Sequence, residues 1–191
     1  MKKIVLMAAF MVASLAASAQ VYVGGSLGFE SQKADKDADA SSTFSIMPEL
    51  GYNLSDNLAV GIQLGYTHSN DKGYINDGEL SGVKSEAKIG AFEVAPYARY
   101  TFAKTGIASF FVDGGIKATF LSNDAEGTIF GIGVRPGVKL SASEKVDFIA
   151  KLGYIGYQTA NEDAQGYGYK KECLGLNIDN TNLEIGVLFN F

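Results

Sequence analysis

Eight stretches of this 191-residue chain carry apolar side chains on every second position, with polar or charged residues between them. Successive side chains of a strand point to opposite faces, so period two means strands, and helical spacing does not fit these runs. The stretches are Gln20–Glu30, Thr43–Leu54, Asn57–His68, Ala87–Phe102, Ile107–Phe120, Thr128–Leu140, Lys145–Tyr157 and Thr181–Phe191. In the seventh, Val146, Phe148, Ala150, Leu152 and Tyr154 share the apolar face; in the eighth, Leu183, Ile185, Val187, Phe189 and Phe191 do. The other face holds Glu30, Glu49, Gln63, Glu93, Arg99, Asp113, Lys117, Arg135, Lys139, Asp147, Lys151 and Glu184, six acids and five bases among them. That face suits neither a dry core nor a lipid surface. Inside a closed barrel the charges can pair, so the chain is expected to be all-β, an eight-stranded antiparallel up-and-down transmembrane β-barrel. The lumen network is then Glu49, Glu93, Arg99, Asp113, Lys117, Arg135, Lys139, Asp147, Lys151 and Glu184. Counting from the turns pairs Glu93 with Lys117, Lys139 with Asp147, and Asp113 with Arg135. Inward glycines such as Gly51, Gly61, Gly133 and Gly137 leave room for long basic side chains. Pro48, Pro96 and Pro136 fall on the outward face and are expected to interrupt ladders or cause bulges.

The connections alternate in length. Ser55-Asp56, Ala103–Gly106 and Ser141–Glu144 are short, whereas 31–42, 69–86, 121–127 and 158–180 are polar and mostly longer. Short turns on a periplasmic rim and long loops outside the cell is the outer-membrane arrangement. The first residues agree. Lys2 and Lys3 precede an apolar run, Ile4–Ala17, that is short for a membrane span, and Ala17-Ser18-Ala19 matches a small-x-small cleavage site. Residues 1–19 therefore read as a cleaved signal peptide and 20–191 as one barrel domain, destined for the cell outer membrane. Cleavage removes two lysines and no acids, taking the net charge from -5 to -7. The single cysteine, Cys173, allows no internal disulfide.

On these features the chain resembles the small outer-membrane β-barrel superfamily, of the OmpA transmembrane-domain and OmpX type, over its whole mature length. In that family the last strand is similar to a recognition signal for the barrel-assembly machinery; here it corresponds to Leu183, Ile185, Val187, Phe189 and Phe191. The pieces Leu50-Gly51-Tyr52, Leu64-Gly65-Tyr66 and Leu152-Gly153-Tyr154 look like the strand-end vocabulary of such barrels, with Tyr52, Tyr66 and Tyr154 expected in the aromatic girdles. The resemblance implies outer-membrane lipids and lipopolysaccharide as surroundings, and the peptidoglycan-binding domain of OmpA is not expected.

Catalytic and metal-binding patterns are weak. His68 is the only histidine, and adjacent Ser69 points to the opposite face, unlike the histidine-x-serine pair of lipid A deacylases. Asp35, Asp37 and Asp39 alternate as in a calcium loop but lack its glycine and bidentate glutamate. No cofactor, metal or nucleic-acid site is expected. The four long loops are acidic, and Tyr154, Tyr157, Tyr167 and Tyr169 cluster about the last one, a surface suited to a protein or glycan ligand. The expected function is a non-enzymatic structural or surface-binding role in adhesion or the envelope. A narrow or gated pore is the alternative, and a lipid-modifying enzyme is a remoter one. The inward charges exclude a lipocalin-like apolar interior.

Overall fold

The computed structural model describes residues 20–32, 41–75, 83–123, 126–166, 171–177 and 183–191. The signal-peptide residues Ala17 and Ala19, the Asp35–Asp39 run, Tyr167 and Tyr169 lie outside them. Ten strand segments make up eight passes of an antiparallel sheet. They are β1 (Val21–Gln32), β2 (Ser41–Asn53), β3 (Leu58–Ile75), β4 (Val83–Thr105), β5 (Ala108–Asn123), β6 (Gly127–Ser141), β7 (Val146–Leu152), β8 (Tyr154–Ala160), β9 (Glu172–Asn177) and β10 (Leu183–Asn190). β7 and β8 form one pass, broken at Gly153, and β9 and β10 belong to the last. A short helix, α1 (Glu162–Gly166), follows β8. Each pass pairs with the next, and β1 pairs with β10 from Tyr22↔Asn190 to Leu27↔Ile185, which closes the sheet into a barrel. No described helix is long and apolar enough to cross a membrane.

The period-two pattern becomes an outward apolar belt. Leu27, Phe44, Ile62, Phe92, Ile116, Phe130, Phe148 and Ile185 are all exposed, Ile185 by 60%. A contiguous apolar surface of that extent suits lipid rather than water. The hairpin β3–β4 extends past the predicted ends at His68 and Ala87, pairing as far as Ile75↔Val83. The stretch 158–180 likewise contains strand and helix where a loop was expected. Asn70, Asp71, Lys72 and Gly73 follow one another without an apolar position between them, so the alternation that marks a strand disappears while the backbone pairing continues.

Each proline costs ladder on one side only. Pro48 retains Gly25 across β1, while the β2–β3 register lapses between Ile46↔Tyr66 and Glu49↔Gln63. Pro96 retains Ile62, while β4–β5 lapses between Val94↔Ala118 and Tyr97↔Gly115. Pro136 retains Val112, and opposite it β6 changes partner from β7 to β8. There Leu152, Gly153 and Tyr154 stand against Arg135 and Pro136, one residue in excess, and Gly153 takes a positive φ of 65°. The bulge reverses the side-chain parity of the rest of its pass, β8. Tyr154, expected outward in a girdle, is therefore buried inward, while Ile155 and Tyr157 face out.

Four of the inward glycines receive rings. A Cβ on Gly51 would collide with Tyr22, on Gly61 with Tyr97, on Gly133 with Tyr154 and on Gly137 with Phe111. Gly137→Val drives a branched side chain into the Phe111 ring and toward the Ala150 carbonyl, 2.9 Å from the Cβ position. Overpacking of this kind costs about 1–3 kcal/mol. The expected outcome is a lower urea midpoint for folding into lipid vesicles, read by heat-modifiable gel mobility, with Gly175→Val, whose Cβ position is open, close to the parent.

Candidate functional site

Parity and closure bring the predicted charges into one narrow space. At its centre are Glu49 (β2), Arg99 (β4), Asp113 (β5) and Lys151 (β7), all buried. Arg99 forks onto Asp113, donating from Nε to Oδ1 at 2.7 Å and from Nη2 to Oδ2 at 2.8 Å. The same Nη2 lies 2.8 Å from Glu49 Oε1. Lys151 Nζ donates to Glu49 Oε2 at 2.7 Å and lies 3.7 Å from Asp113 Oδ2. Tyr97 donates its hydroxyl to Glu49 Oε1 at 2.6 Å, so the 2.7 Å contact between Tyr22 and Tyr97 is donated by Tyr22. The guanidinium carbon of Arg99 lies 4.2 Å from the Phe111 ring centroid and 5.1 Å from that of Tyr97. Two acids and two bases make the quartet neutral, and its carboxylate oxygens all accept from donors, the condition under which buried charge is tolerated. Tyr22, Ala59, Ile149 and Leu188 form an apolar layer on its short-turn side.

Toward the long-loop rim a second cluster is built around Glu184. Its Oε1 accepts from Arg135 Nη1 at 2.7 Å, and its Oε2 from Ser26 and from Gln63 Nε2 at 3.1 and 3.0 Å. Beyond it, Lys117 Nζ is 3.9 Å from Glu93 and 4.6 Å from the Tyr154 ring centroid, and Thr119 donates to Glu93 Oε2 at 3.2 Å. At the other end Asp147 meets Lys139 at 3.4 Å and accepts from Ser141 and Asn190 at 2.6 and 2.8 Å. A cavity of about 40 Å³, bordered by Lys117, Arg135, Tyr154 and Asp113, lies on one side of the quartet, and one of about 60 Å³, bordered by Tyr22, Arg99 and Asp147, on the other. Each has room for only a few waters.

All ten predicted network residues face this space. The structure brings together Glu93 with Lys117 and Lys139 with Asp147. Asp113 and Arg135 are opposite in register but are not ion-paired. Asp113 also stands opposite Arg99 on its other flank, which occupies both its oxygens, and Arg135 instead reaches Glu184. Sequence reasoning missed Tyr22, Ser26, Tyr97, Phe111, Thr119 and Tyr154 as lumen residues. For the first five the signal was present, since each shares the parity of the charges on its strand. Elsewhere the predicted residues stay apart. His68 stands in register with Phe44 and Gly90, and the Ser69 hydroxyl pairs with Thr43 at 2.9 Å. Of the terminal-strand set, Ile185, Phe189 and Phe191 are exposed, Val187 is half-buried, and the side chain of Leu183 lies outside the described residues. So does that of Cys173, whose backbone pairs with Gln158. Among the described residues no group of three potential metal ligands occurs.

A sequence-family model described as "Outer membrane protein beta-barrel domain" matches residues 4–191. Among solved structures, Neisserial surface protein A is similar at 16% identity and a TM-score of 0.55, over 91% of this chain and 98% of its own. The outer membrane protein OprG from Pseudomonas aeruginosa is similar at 12% identity and a TM-score of 0.54, over 90% and 96%. No curated protein matches.

Removing one member of the quartet leaves uncompensated buried charge, a loss of about 3–5 kcal/mol. Arg99→Met is accordingly expected to lower the urea midpoint strongly, and Lys139→Met less, because Lys139 is itself partly exposed and buried Asp147 keeps its hydrogen bonds from Ser141 and Asn190, when the two are compared in the same vesicles.

Proposed function

The chain belongs to the outer-membrane β-barrel domain family, and on that footing we propose that it is a structural or surface-binding protein of the envelope, acting through the loops of its long-loop rim. The quartet carries this reading. Glu49, Arg99, Asp113 and Lys151 join four different passes across the lumen, and the adjoining cavities are too small for a continuous solute path. Opening a path would require separating charges in a low-dielectric space, where their attraction is strongest. The barrel is then an anchor with short turns at the periplasm, set among outer-membrane lipids and lipopolysaccharide, and its acidic, tyrosine-bearing loops meet an extracellular protein or glycan.

Biogenesis fits the same picture. The outward Ile185, Val187 and Phe189, with Phe191 bonded through its amide to the Val21 carbonyl at 2.9 Å, would be read by the barrel-assembly machinery as the last strand closes on the first. Residues 1–19 would direct export and be removed. An enzymatic role is not part of this reading, because the Ser69 hydroxyl is engaged by Thr43 and, among the described residues, by no base.

Conductance of the purified protein in planar bilayers tests the proposal. Baseline current is expected at moderate voltage. Steady ohmic current above background would replace the closed anchor with the narrow-pore alternative. His68→Ala is expected to leave lipid A composition unchanged by mass spectrometry, and a changed acylation pattern would reinstate the enzyme.

A further inference from the structure

The outward belt is not uniformly convex. Across β4, β5, β6 and β8 it is indented by a groove of about 510 Å³, lined by Val94, Pro96, Ala118, Phe130, Tyr157 and Thr159 among others. The indentation has local causes. Pro96 has no amide to donate to β5, and the β4–β5 pairing lapses between Val94↔Ala118 and Tyr97↔Gly115. Ala118 then puts only a methyl between Val94 on one flank and Phe130 on the other, both in register with it. On β8 the partners of Ile132 and Phe130 are Tyr157 and Thr159, which take outward parity from the bulge at Gly153.

The groove calls for apolar matter. Lys117 borders it, but its ammonium is turned inward to Glu93 and the Tyr154 ring. Left empty, the lining would forfeit its dispersion contacts, and a chain lying in the groove meets protein on several sides where the convex belt offers one. β5 runs on from Ala118 to its long-loop end at Asn123, and β8 from Thr159 to Ala160, so the groove faces the leaflet on that side. Beyond its long-loop end Lys88 and Lys171 are exposed, and so are Glu126 and Glu172. The bases suit phosphates, and the acids suit divalent cations that bridge phosphates.

We infer that this groove is a lipid seat, holding one acyl chain of a lipopolysaccharide molecule against β4, β5, β6 and β8. The chain supplies the apolar filling, and the phosphorylated headgroup stands at the level of Lys88 and Lys171. The rest of the belt is then wetted by exchanging lipid, whereas this position retains its occupant. The inference rests on the placement among outer-membrane lipids proposed above, and adds which lipid is held and where.

Fluorescence quenching tests it, because the chain has no tryptophan of its own. Tyr157→Trp places a single reporter in the groove, and Ile46→Trp places one on the exposed belt outside it. Each protein is reconstituted in vesicles of phosphatidylcholine with brominated acyl chains, which quench both, and unbrominated rough lipopolysaccharide is titrated in. Tyr157→Trp is expected to recover half its fluorescence at a lipopolysaccharide mole fraction about fivefold or more below that needed by Ile46→Trp. Adding Ala118→Phe, which fills the groove, is expected to bring the two titrations together. Phe130→Ala, which removes one wall, narrows the gap and serves if Ala118→Phe does not fold. Equal recovery at the two reporters, or an undiminished preference in both groove variants, would overturn the seat. The same recovery with an anionic phospholipid would overturn its assignment to lipopolysaccharide. Quenching of Ile46→Trp but not of Tyr157→Trp would give the groove to a second copy of the chain instead. Quenching of neither would remove the placement in lipid itself, separating the two readings.

Discussion

Closure of the sheet between β1 and β10 is the constraint on which everything else in this structure depends. A barrel of the outer-membrane family sits in lipid, where an open edge would leave a row of peptide groups with no water to satisfy them. The ladder from Tyr22↔Asn190 to Leu27↔Ile185 removes both edges. Once the sheet is closed, side-chain parity leaves no freedom: whatever is not on the belt is in the lumen. The prolines show how closely the ladder is kept. Each is outward, keeps its pairing on one flank, and loses it on the other.

A narrow lumen filled with charge is stable only if the charge is neutral in sum and saturated with hydrogen bonds. The quartet meets both conditions through donors from several strands, with Tyr97 completing the shell of Glu49 and Phe111 flanking Arg99. Buried ion pairs contribute more to selecting one arrangement than to net stability, because desolvation offsets much of their attraction. Here that selection works on register: a slip of one residue on any of the four contributing strands would turn one member of the quartet into lipid. The inward glycines opposite Tyr22, Tyr97 and Phe111 do the steric part of the same task, admitting rings where any Cβ would collide.

The belt and the identity of the lumen charges were legible in the sequence because period two survives wherever one face is apolar and the other polar. Leu58, Val60, Ile62 and Leu64 against Ala59, Gly61, Gln63 and Gly65 is such a case. The outer ends of β3 and β4 were not legible, since Asn70, Asp71, Lys72 and Gly73 in succession show no apolar–polar alternation. Tyr154 was misplaced for a different reason. Its parity depends on one inserted residue at Gly153, and a glycine before a tyrosine recurs in this chain at Gly51-Tyr52 and Gly65-Tyr66 with the register unbroken. The inward aromatics Tyr22 and Tyr97 shared the parity of Glu30 and Arg99 on their own strands, but tyrosine is equally at home in a girdle.

The sequence by itself determined that this chain forms a barrel and which charges it encloses, because alternation is a property of neighbouring residues along one strand. Which acid meets which base was decided only by the tertiary structure. Asp113 has Arg99 on one flank and Arg135 on the other, both in register. Arg99 takes it because its guanidinium fork can span both oxygens from the adjacent strand and still reach Glu49. Arg135 instead reaches past β7 to Glu184, 49 positions away, at 2.7 Å, while Lys151 meets Glu49 at 2.7 Å across the seam that closes the sheet. The seat of Ala164 is of the same kind: nothing in Glu162–Gly166 announces where the helix packs until Gly127 and Asn161 are seen to hold it against β6 and β8.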